Sequence, residues 1–378
     1  MTPARLLALG PTPWEGVWAR PQQLLSRLAA LGTQVLYVDP SVTWLGALRR
    51  PPGAAPGANP RAVSAGIWVH RPRLAQPLGN VFRRVNRLNM GRLAGELTGS
   101  LAVLGWKDFY LWSWLPGAVD LVETLAPGRV IYDCADDHAA FRGLLDPGLV
   151  RRLERELAVR ADFVFASAGT LAERLGRESG RRVLLVPNGG DVDHFAAPRP
   201  LPAALVDVLP PRLGFVGALG EWIDTGLLAR VVREHPGVSL VLAGPVLADP
   251  GELAGMRGVH FLGPVPYAEL PGYVQGFALC LAPFRNTPLT RGVNPIKVYE
   301  YLAAGREVVA TALPELAPLA GVVHVSPDAD AFCQAVGELL AGRGVHDPAA
   351  LAAAARANSW EERLGRITAA LAQDGSGH

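Results

Sequence analysis

Short apolar runs typical of buried strands alternate with helical patterns along nearly the whole chain. Strands of a parallel sheet that is covered on both faces are continuous apolar runs, so this rhythm predicts an α/β fold built of βαβ units. The rhythm stops once, at the Pro-rich segment 197–212, and then restarts. Two doubly wound, Rossmann-like domains are therefore predicted. The predicted strands are 5–10, 34–40, 66–70, 108–113, 129–134, 163–167 and 183–188 before that segment, and 213–219, 238–244, 259–265, 278–284, 307–311 and 322–326 after it.

The same segment sets the predicted domain boundaries. An N-terminal domain (1–197) is followed by a hinge (198–212) and a C-terminal domain (213–356). The terminal segment 357–378 contains a last helix, which we expect to pack back toward the N-terminal domain. The Gly- and Pro-rich segment 49–62 is typical of a mobile loop. Ligands of doubly wound sheets bind beyond the carboxyl ends of the strands, so the cleft between the domains is the expected site.

Composition and charge exclude several classes of protein. Of the 378 residues, 49% are hydrophobic and 19% are charged, which suits two buried cores and not a disordered chain. The net charge of +2 gives no reason to expect a nucleic acid partner, although residues 1–198 carry 23 Lys+Arg against 17 Asp+Glu, or +6. The three cysteines are too widely spaced for a metal motif or a disulfide framework. Without a signal peptide or a membrane-spanning run, a cytoplasmic location is predicted.

The segment NPIKVYEYLAAGREVVAT (294–311) predicts a helix that runs into a strand. Asn294 is a favoured N-cap, Pro295 suits the first helical position, and Gly305 suits the residue after the helix. Lys297, one of two lysines in the chain, stands three residues before Glu300 on nearly the same face. A surface Lys–Glu pair is the alternative interpretation, but the helix is largely apolar.

The start of this helix is expected to bind an anion. It follows a predicted strand, so its free N–H groups and its dipole point toward the carboxyl edge of the sheet. Lys297 adds a compact charge for phosphate. Glu300 lies about 4.5 Å further along the helix axis, where its carboxylate can accept the two hydroxyls of a ribose. The pair can therefore bind a nucleoside diphosphate.

At this point the chain resembles glycosyltransferase family 4, the glycosyl transferases group 1. The resemblance covers nearly the whole chain. The matching segments look like a bacterial branch that resembles the glycosyltransferases of teichuronic acid and exopolysaccharide synthesis. It implies a GT-B fold and metal-independent transfer, with retention, from a nucleotide-diphosphate sugar. The segments that carry the resemblance, besides 294–311, are WEGVWARPQQLLSRLAALGTQVLYVDP (14–40), IYDCADDHAAF (131–141), VPNGGDVDHF (186–195), GFVGALGEWIDTGLL (214–228) and HFLGPVPYAELPGYV (260–274).

The resemblance assigns donor-binding roles to residues of the second domain. Glu300 matches the second glutamate of the E-x7-E motif, which binds the donor ribose, whereas Gly292 occupies the position of the first glutamate. It implies that Asn294 and Ile296 present backbone N–H groups to the donor, with Pro295 between them, and that Gly217 lies close to it. These positions are expected to form the donor site.

The family also places an Arg and a Lys after the first strand of the second domain, where they hold the diphosphate. This chain has Ala218 and Asp224 in that region, and neither can do so. Lys297 and Arg291 are the expected replacements, with Arg285 as a further candidate. Lys297 is therefore expected to carry more of the leaving-group stabilisation than its counterpart in typical members.

The loop within 10–23 follows the first strand of the N-terminal domain. Gly16 is predicted to approach the diphosphate, Arg20 to bind the acceptor, and Trp14 or Trp18 to stack on sugar. The alternative is a purely structural aromatic loop. No G-x-G-x-x-G follows this strand, which argues against a nicotinamide enzyme.

The segment DCADDHAAF (133–141) places three acids and a histidine directly after a strand. His138 and Asp137 are candidate catalytic groups toward an acceptor hydroxyl, and Asp133 and Asp136 are candidate acceptor ligands. Capping of a helix by one aspartate and a metal site are the alternatives, although nothing elsewhere completes a metal ligand set. The DVD sequence at 191–193, which matches the metal motif of other glycosyltransferases, favours a structural turn here.

The segment 71–95 intersperses arginines with apolar residues. As a basic amphipathic helix it would lie on an anionic membrane, where a lipid-linked acceptor is found. A solvated helix face or a cover over the sheet is the equal alternative.

Together these features predict a retaining, metal-independent glycosyltransferase of the hexosyl type that acts in cell-surface polysaccharide synthesis. A non-catalytic subunit of a polysaccharide assembly complex and a sugar-nucleotide epimerase or phosphorylase on the same fold are the alternatives. The missing glutamate at 292 and the missing Arg/Lys pair favour the non-catalytic subunit among these.

Overall fold

A computed structural model describes residues 3–47 and 60–373 of the chain. It divides into two compact units. The first comprises the described residues up to Pro187 together with those from Leu364, and the second is Asn188–Arg363. Each unit has its own parallel sheet, as the two-domain prediction requires.

The first unit contains an eight-stranded sheet in the order β3-β4-β2-β1-β5-β6-β7-β8, parallel except for the antiparallel pair β3–β4. Its strands are β1 (Arg5–Leu9), β2 (Gln34–Val38), β3 (Arg61–Ser64), β4 (Ile67–His70), β5 (Tyr110–Ser113), β6 (Arg129–Cys134), β7 (Phe163–Ala166) and β8 (Leu184–Leu185). Its helices are α1 (Arg20–Ala30), α2 (Trp44–Ala47), α3 (Arg83–Val103), α4 (Val119–Leu125), α5 (Pro147–Arg160) and α6 (Gly169–Ser179).

The second unit contains a six-stranded, all-parallel sheet in the order β11-β10-β9-β12-β13-β14. Its strands are β9 (Arg212–Val216), β10 (Ser239–Ala243), β11 (Val259–Gly263), β12 (Leu279–Ala282), β13 (Glu307–Thr311) and β14 (His324–Ser326). Its helices are α7 (Val192–Ala196), α8 (Ala203–Val206), α9 (Thr225–Glu234), α10 (Leu270–Gln275), α11 (Ile296–Ala303), α12 (Ala329–Leu340) and α13 (Pro348–Ala357), and α14 (Trp360–Gln373) ends the described chain.

The strands are buried for the reason that their sequences predict. In β1, every residue from Leu6 to Leu9 is at most 3% exposed, as expected of a strand covered by helices on both faces. In β9, Gly214 leaves space for the Phe277 ring, because a Cβ at this position would lie 1.9 Å from Phe277 Cδ2. Such close packing holds the central strand of the second sheet against its covering residues.

Four local features differ from the sequence predictions or add to them. Strand β3 was not predicted, since its sequence RAVS has no apolar run. It takes up part of the expected loop 49–62, whose residues 49–59 lie outside the described range. The regular helix predicted within 71–95 begins at Arg83. The Pro-rich segment contains α8, whose Leu205 is fully buried, so this part of the predicted hinge packs within the second unit.

The chain leaves the first unit after Pro187, ten residues before the predicted boundary at 197, and returns to it at Leu364. The return agrees with the expectation that the last helix packs on the first domain, because Arg366 of α14 donates a hydrogen bond to the Leu185 carbonyl at 2.7 Å. Among the described residues, no helix combines the length and the hydropathy of a membrane span.

Candidate functional site

The candidate site of the second unit is built at the start of α11. Pro295 is the N-cap of this helix, with φ −79° and ψ 109°, so the helix begins one residue later than predicted. Gly305 follows its end with a φ of 67°, as the sequence predicts for the residue after a helix. The first helical N–H groups, those of Ile296 and Lys297, have no acceptor one turn earlier in the helix. They remain available to an anion.

Lys297 projects its ammonium group to the carboxyl end of β9. Its Nζ lies 3.8 Å from the centroid of the Phe215 ring and 5.4 Å from that of Phe284. Gly217, which directly follows β9, has a φ of +128°, and a Cβ there would lie 2.6 Å from Lys297 Nζ. The glycine therefore makes room for the ammonium. The lysine thus occupies the end of the strand after which the family resemblance places its cations.

Among the described residues, no acidic side chain forms a hydrogen bond or a salt bridge with this ammonium. Lys297 has aromatic faces beside it instead. Burial lowers its pKa to about 7, and the negative charge of Glu300 offsets only part of that shift. A desolvated cation without a counter-ion is costly, so the site is electrostatically suited to an incoming anion.

Glu300 lies one turn further along α11 and is 6% exposed. Burial raises its pKa to about 7, while a hydrogen bond from Tyr267 and the charge of Lys297 limit the rise. The Tyr267 hydroxyl donates to Glu300 Oε1 at 3.1 Å. One carboxylate oxygen is thereby held in place, and Glu300 is a positioned acceptor rather than a mobile surface group.

Three residues around Glu300 were not among the predicted site residues. Tyr267 stacks on His194, with ring centroids 5.0 Å apart and planes at 21°. His194 Nε2 lies 3.1 Å from the Tyr267 carbonyl oxygen. The charge of Asp191 is close enough to raise the pKa of Glu300. The DVD sequence is thus the start of α7 beside this carboxylate and belongs to the second unit.

Asn294 is not the N-cap of α11, and its predicted backbone contact with a donor stays a prediction. Its side-chain oxygen accepts a hydrogen bond from the Asn188 backbone N–H at 3.0 Å, and its amide donates to Glu315 Oε2 at 3.2 Å. Its carbonyl oxygen accepts from the Asn188 side chain at 2.7 Å. Asn294 is 4% exposed and fastens the segment before α11, so its side chain is a structural tie and not an N-cap.

The two arginines predicted to assist Lys297 are both exposed. Arg285 follows β12 and donates from Nε to the Ile223 carbonyl oxygen at 3.0 Å. Arg291 donates from Nε to Asn286 Oδ1, also at 3.0 Å. Their roles toward a diphosphate stay predictions. Asp224 caps α9 by accepting from the Leu227 N–H at 3.0 Å, which explains a carboxylate in this part of the sequence.

In the first unit, the loop after β1 is held by its own contacts. Trp14 is 8% exposed, donates its backbone N–H to Asp39 Oδ1 at 2.8 Å, and packs edge-on against Tyr37 with centroids 5.1 Å apart. This burial favours the structural interpretation of Trp14 over stacking on sugar. Gly16 is exposed in a turn closed by a hydrogen bond from its N–H to the Pro13 carbonyl at 3.0 Å, and its approach to a diphosphate stays a prediction.

Arg20 and Asp133, both predicted to bind an acceptor, form a buried ion pair instead. Arg20 Nε donates to Asp133 Oδ2 at 2.8 Å, and Arg20 Nη1 donates to the Val186 carbonyl oxygen at 2.8 Å. Their side chains are 2% and 0% exposed. Removing one member of a buried pair typically costs about 3–5 kcal/mol, so this pair is a structural connection between α1, β6 and the chain near 186.

The other residues of this segment separate into two roles. Asp137 caps the 3₁₀ turn His138–Ala140 by accepting from the Ala139 N–H at 3.2 Å, and it also accepts from Arg151 Nη2 at 2.6 Å. One aspartate of the segment thus caps a short helix, which is the alternative interpretation of this sequence. Asp136 is half-buried, and burial raises the pKa of its carboxyl group. His138 Nε2 is buried without a hydrogen-bond partner among the described residues.

His138 lines a cavity of about 440 Å³ in the first unit. The cavity lies at the carboxyl edge of the first sheet, because Leu9 and Val38 end β1 and β2 and His138 follows β6. This is the edge at which doubly wound sheets bind ligands. The His138 residue lines this cavity, whereas its Nε2 atom is buried. The further lining residues include Asp39, Asn86, Met90, Leu93, Phe141 and Arg142.

Known proteins resemble this chain in sequence and in fold. The family described as Glycosyl transferases group 1 matches residues 210–342, within the second unit. The Bacillus subtilis protein TuaH, named as a teichuronic acid biosynthesis glycosyltransferase, is 28% identical over 246 residues, which are 60% of this chain and 61% of TuaH. The chain thus matches about three-fifths of the length of that relative.

Two solved structures match over nearly the full length of both chains. Sucrose-phosphate synthase from Thermosynechococcus elongatus has a TM-score of 0.73 at 17% identity, and the match covers 99% of this chain and 100% of the synthase chain. The Anabaena protein HepE, solved with UDP and glucose, has a TM-score of 0.70 at 13% identity and covers 98% and 100%. The chain therefore has the GT-B fold, and most of its second unit matches the family of group 1 glycosyl transferases.

Proposed function

We propose that the protein is a retaining, metal-independent hexosyltransferase. It moves a sugar from a nucleotide-diphosphate donor to a hydroxyl of a glycan or lipid-linked acceptor, in the cytoplasm, during cell-surface polysaccharide synthesis. The observation that carries this proposal is the ammonium of Lys297. It lies above Gly217, one helical turn from the buried carboxylate of Glu300, and has no hydrogen-bonded counter-ion among the described residues. The likeness to TuaH supports the polysaccharide setting.

The donor binds at the start of α11 in this proposal. Its diphosphate takes the place of the missing counter-ion beside Lys297 and accepts hydrogen bonds from the free N–H groups of the helix start. Its ribose hydroxyls donate to Glu300, whose Oε1 is already positioned by Tyr267. Negative charge grows on the leaving diphosphate during transfer, and a cation fixed beforehand in an apolar setting stabilises it without reorganisation.

Proton uptake accompanies donor binding in this proposal. With a pKa of about 7, free Lys297 is only partly protonated at neutral pH. A diphosphate beside its Nζ favours the ammonium form, so binding raises the pKa and draws a proton onto the lysine. The cation is then fully formed when the sugar departs. Glu300, whose pKa is also about 7, must be ionised to accept both ribose hydroxyls.

The acceptor binds in the cavity of the first unit in this proposal. His138 lines this cavity, and its Nε2, once the ring turns to uncover that atom, accepts the hydrogen of the attacking hydroxyl, with Asp136 close enough to interact with the ring charge. Retention is proposed by analogy with trehalose-6-phosphate synthase, a structural relative studied for glycosyl transfer with retention. HepE, solved with UDP-glucose, makes UDP-sugars the first donors to test.

A non-catalytic subunit of an assembly complex is the second candidate, and Gly292 in place of the first motif glutamate favours it. The two candidates differ in turnover. A catalytic protein releases nucleoside diphosphate from a donor, whereas a non-catalytic subunit binds the donor without releasing it. An epimerase would return an isomerised nucleotide sugar and no free nucleoside diphosphate.

The first test is turnover with a panel of UDP-, GDP- and dTDP-sugars in the presence of a metal chelator. We expect release of nucleoside diphosphate from one class of donor. Lys297→Met should lower kcat about 10²–10³-fold, because a preorganised charge at the leaving group is lost. Glu300→Gln should raise KM for the donor about 10–100-fold, since hydrogen bonds to a carboxylate become bonds to a neutral amide.

The matched control is Lys107→Met, which removes the exposed second lysine and should leave kcat unchanged. Turnover by Lys297→Met at the wild-type rate would contradict the proposed donor site. Donor binding without turnover by the wild type would favour the non-catalytic candidate. The anomeric configuration of the product, followed by NMR, tests retention.

A second prediction concerns pH. The hydrogen bond from Tyr267 favours the ionised form of Glu300 and so lowers its pKa. In Tyr267→Phe this bond is lost, the pKa of Glu300 rises, and the acid limb of the kcat/KM profile for the donor should move to higher pH. Tyr273→Phe, at another buried tyrosine of the second unit, is the control and should leave the limb in place. An acid limb that is the same in all three proteins would argue against Glu300 as the titrating group.

We also propose that α3 contacts an anionic membrane that carries the acceptor. Arg84, Leu88 and Arg92 recur at every fourth position on one face of the helix and are exposed, and Phe82 beside them is 53% exposed. Co-sedimentation with vesicles containing phosphatidylglycerol should fall sharply in the double variant Arg84→Glu/Arg92→Glu. It should not fall in Arg155→Glu, an exposed position on α5. If the wild type and both variants sediment equally with the vesicles, α3 does not contact the membrane.

A further inference from the structure

A second group of polar side chains lies at the other edge of the second sheet. Glu307 is the first residue of β13, His324 is the first residue of β14, and His346 lies in the loop between α12 and α13. In a parallel sheet these positions are at the amino ends of the strands, opposite the edge where Lys297 lies beyond β9. The group is therefore separate from the proposed donor site.

The three side chains converge on one carboxylate oxygen. His346 Nδ1 lies 2.8 Å from Glu307 Oε2, and His324 Nε2 lies 3.3 Å from the same oxygen. The two imidazole rings have centroids 4.5 Å apart. One ligand atom from each of the three residues falls within 4.8 Å of the others, although Glu307 and His346 are 39 positions apart in sequence.

These distances suit a tetrahedral metal ion. Zinc binds imidazole nitrogen and carboxylate oxygen at about 2.0–2.2 Å, which places neighbouring ligand atoms of a tetrahedral site about 3.3 Å apart. Two of the three separations between ligand atoms, 2.8 and 3.3 Å, are close to this value, and the third is within 4.8 Å. Two imidazoles and one carboxylate also form the ligand set that zinc and other late first-row metals prefer.

The carboxylate is already oriented by a further contact. The backbone N–H of His346 donates to the other oxygen, Glu307 Oε1, at 2.7 Å. This bond leaves Oε2 directed at both imidazoles. Metal ligands are commonly oriented by such hydrogen bonds from neighbouring groups. Glu307 is 8% exposed, while both histidines are half-buried, so a water molecule can reach the fourth position.

We propose that Glu307, His324 and His346 bind one divalent transition-metal ion, with zinc as the first candidate. The ion joins the starts of β13 and β14 to the loop after α12. Because it lies at the edge opposite Lys297, its role is structural, and sugar transfer without a metal does not conflict with it. A ligand that binds the folded state alone stabilises that state in proportion to its affinity.

The alternative is a hydrogen-bonded group that needs no ion, in which both imidazoles donate an N–H to Glu307. The two readings differ in whether zinc binds in a one-to-one ratio. Only metal binding requires a nitrogen of each histidine to give up its hydrogen to the shared centre. A titration with the metal alone therefore separates them.

The experiment uses full-length protein without a histidine tag, treated with chelator and then titrated with Zn²⁺ by calorimetry. We expect one site per chain, a rise in Tm with zinc, and an intense visible absorption with Co²⁺ typical of tetrahedral coordination. His324→Ala and His346→Ala should each weaken zinc binding at least about tenfold. His260→Ala, at a histidine of β11 outside the group, should bind like the wild type.

The wild-type titration alone can overturn the proposal, so it does not depend on the folding of any variant. The absence of one-to-one zinc binding would show that the group is only hydrogen-bonded. Zinc binding that is equally strong in His324→Ala and His346→Ala would place the ion elsewhere. Donor binding measured with and without chelator gives a separate readout of the proposed donor site.

Discussion

The buried ammonium of Lys297 is the feature on which the candidate site at the start of α11 depends. A lysine in an unfolded chain ionises near pH 10.4, whereas burial lowers the pKa of Lys297 to about 7. Burial of this charge therefore destabilises the folded state. The destabilisation is complete below about pH 7 and disappears above about pH 10.4, the pKa of the unfolded chain. Gly217 makes room for the charge and Phe215 gives it an aromatic face, but neither neutralises it. Below about pH 7 the folded chain thus carries a charge that an anion would stabilise.

Most of the fold could be predicted from the sequence, because buried parallel strands are continuous apolar runs. Where the structure differs from the prediction, the difference has a physical reason. Strand β3 pairs antiparallel at an edge and has no apolar signal. The unit boundary follows tertiary contacts, such as those from Asn294 to Asn188, that no local pattern reveals. Proline composition predicted a hinge at 198–212, yet a fully buried leucine holds part of that segment in the second unit.

The candidate site was predictable only where one short segment carries it. Lys297 and Glu300 are neighbours on one helix, so their spacing in sequence is their spacing in space. Tyr267 comes from a distant segment and reaches Glu300 only through the fold. The roles of charged residues that follow a strand were also ambiguous, because the contacts of these residues likewise depend on the fold. Arg20 and Asp133 pair with each other across 113 positions, whereas His138 lines a cavity and its buried Nε2 has no hydrogen-bond partner among the described residues.

We propose that the ammonium of Lys297 binds the diphosphate of the donor. Because the chain has only two lysines, the titration of Lys297 can be followed directly. NMR of protein labelled with ¹³C at lysine Cε gives two signals, and Lys107→Arg leaves that of Lys297 alone. We predict that this signal titrates near pH 7 in the free protein and at a clearly higher pH when UDP, GDP or dTDP is bound. A Lys297 signal that titrates near 10.4 in the free protein, or that none of the three nucleotides shifts, would contradict the account.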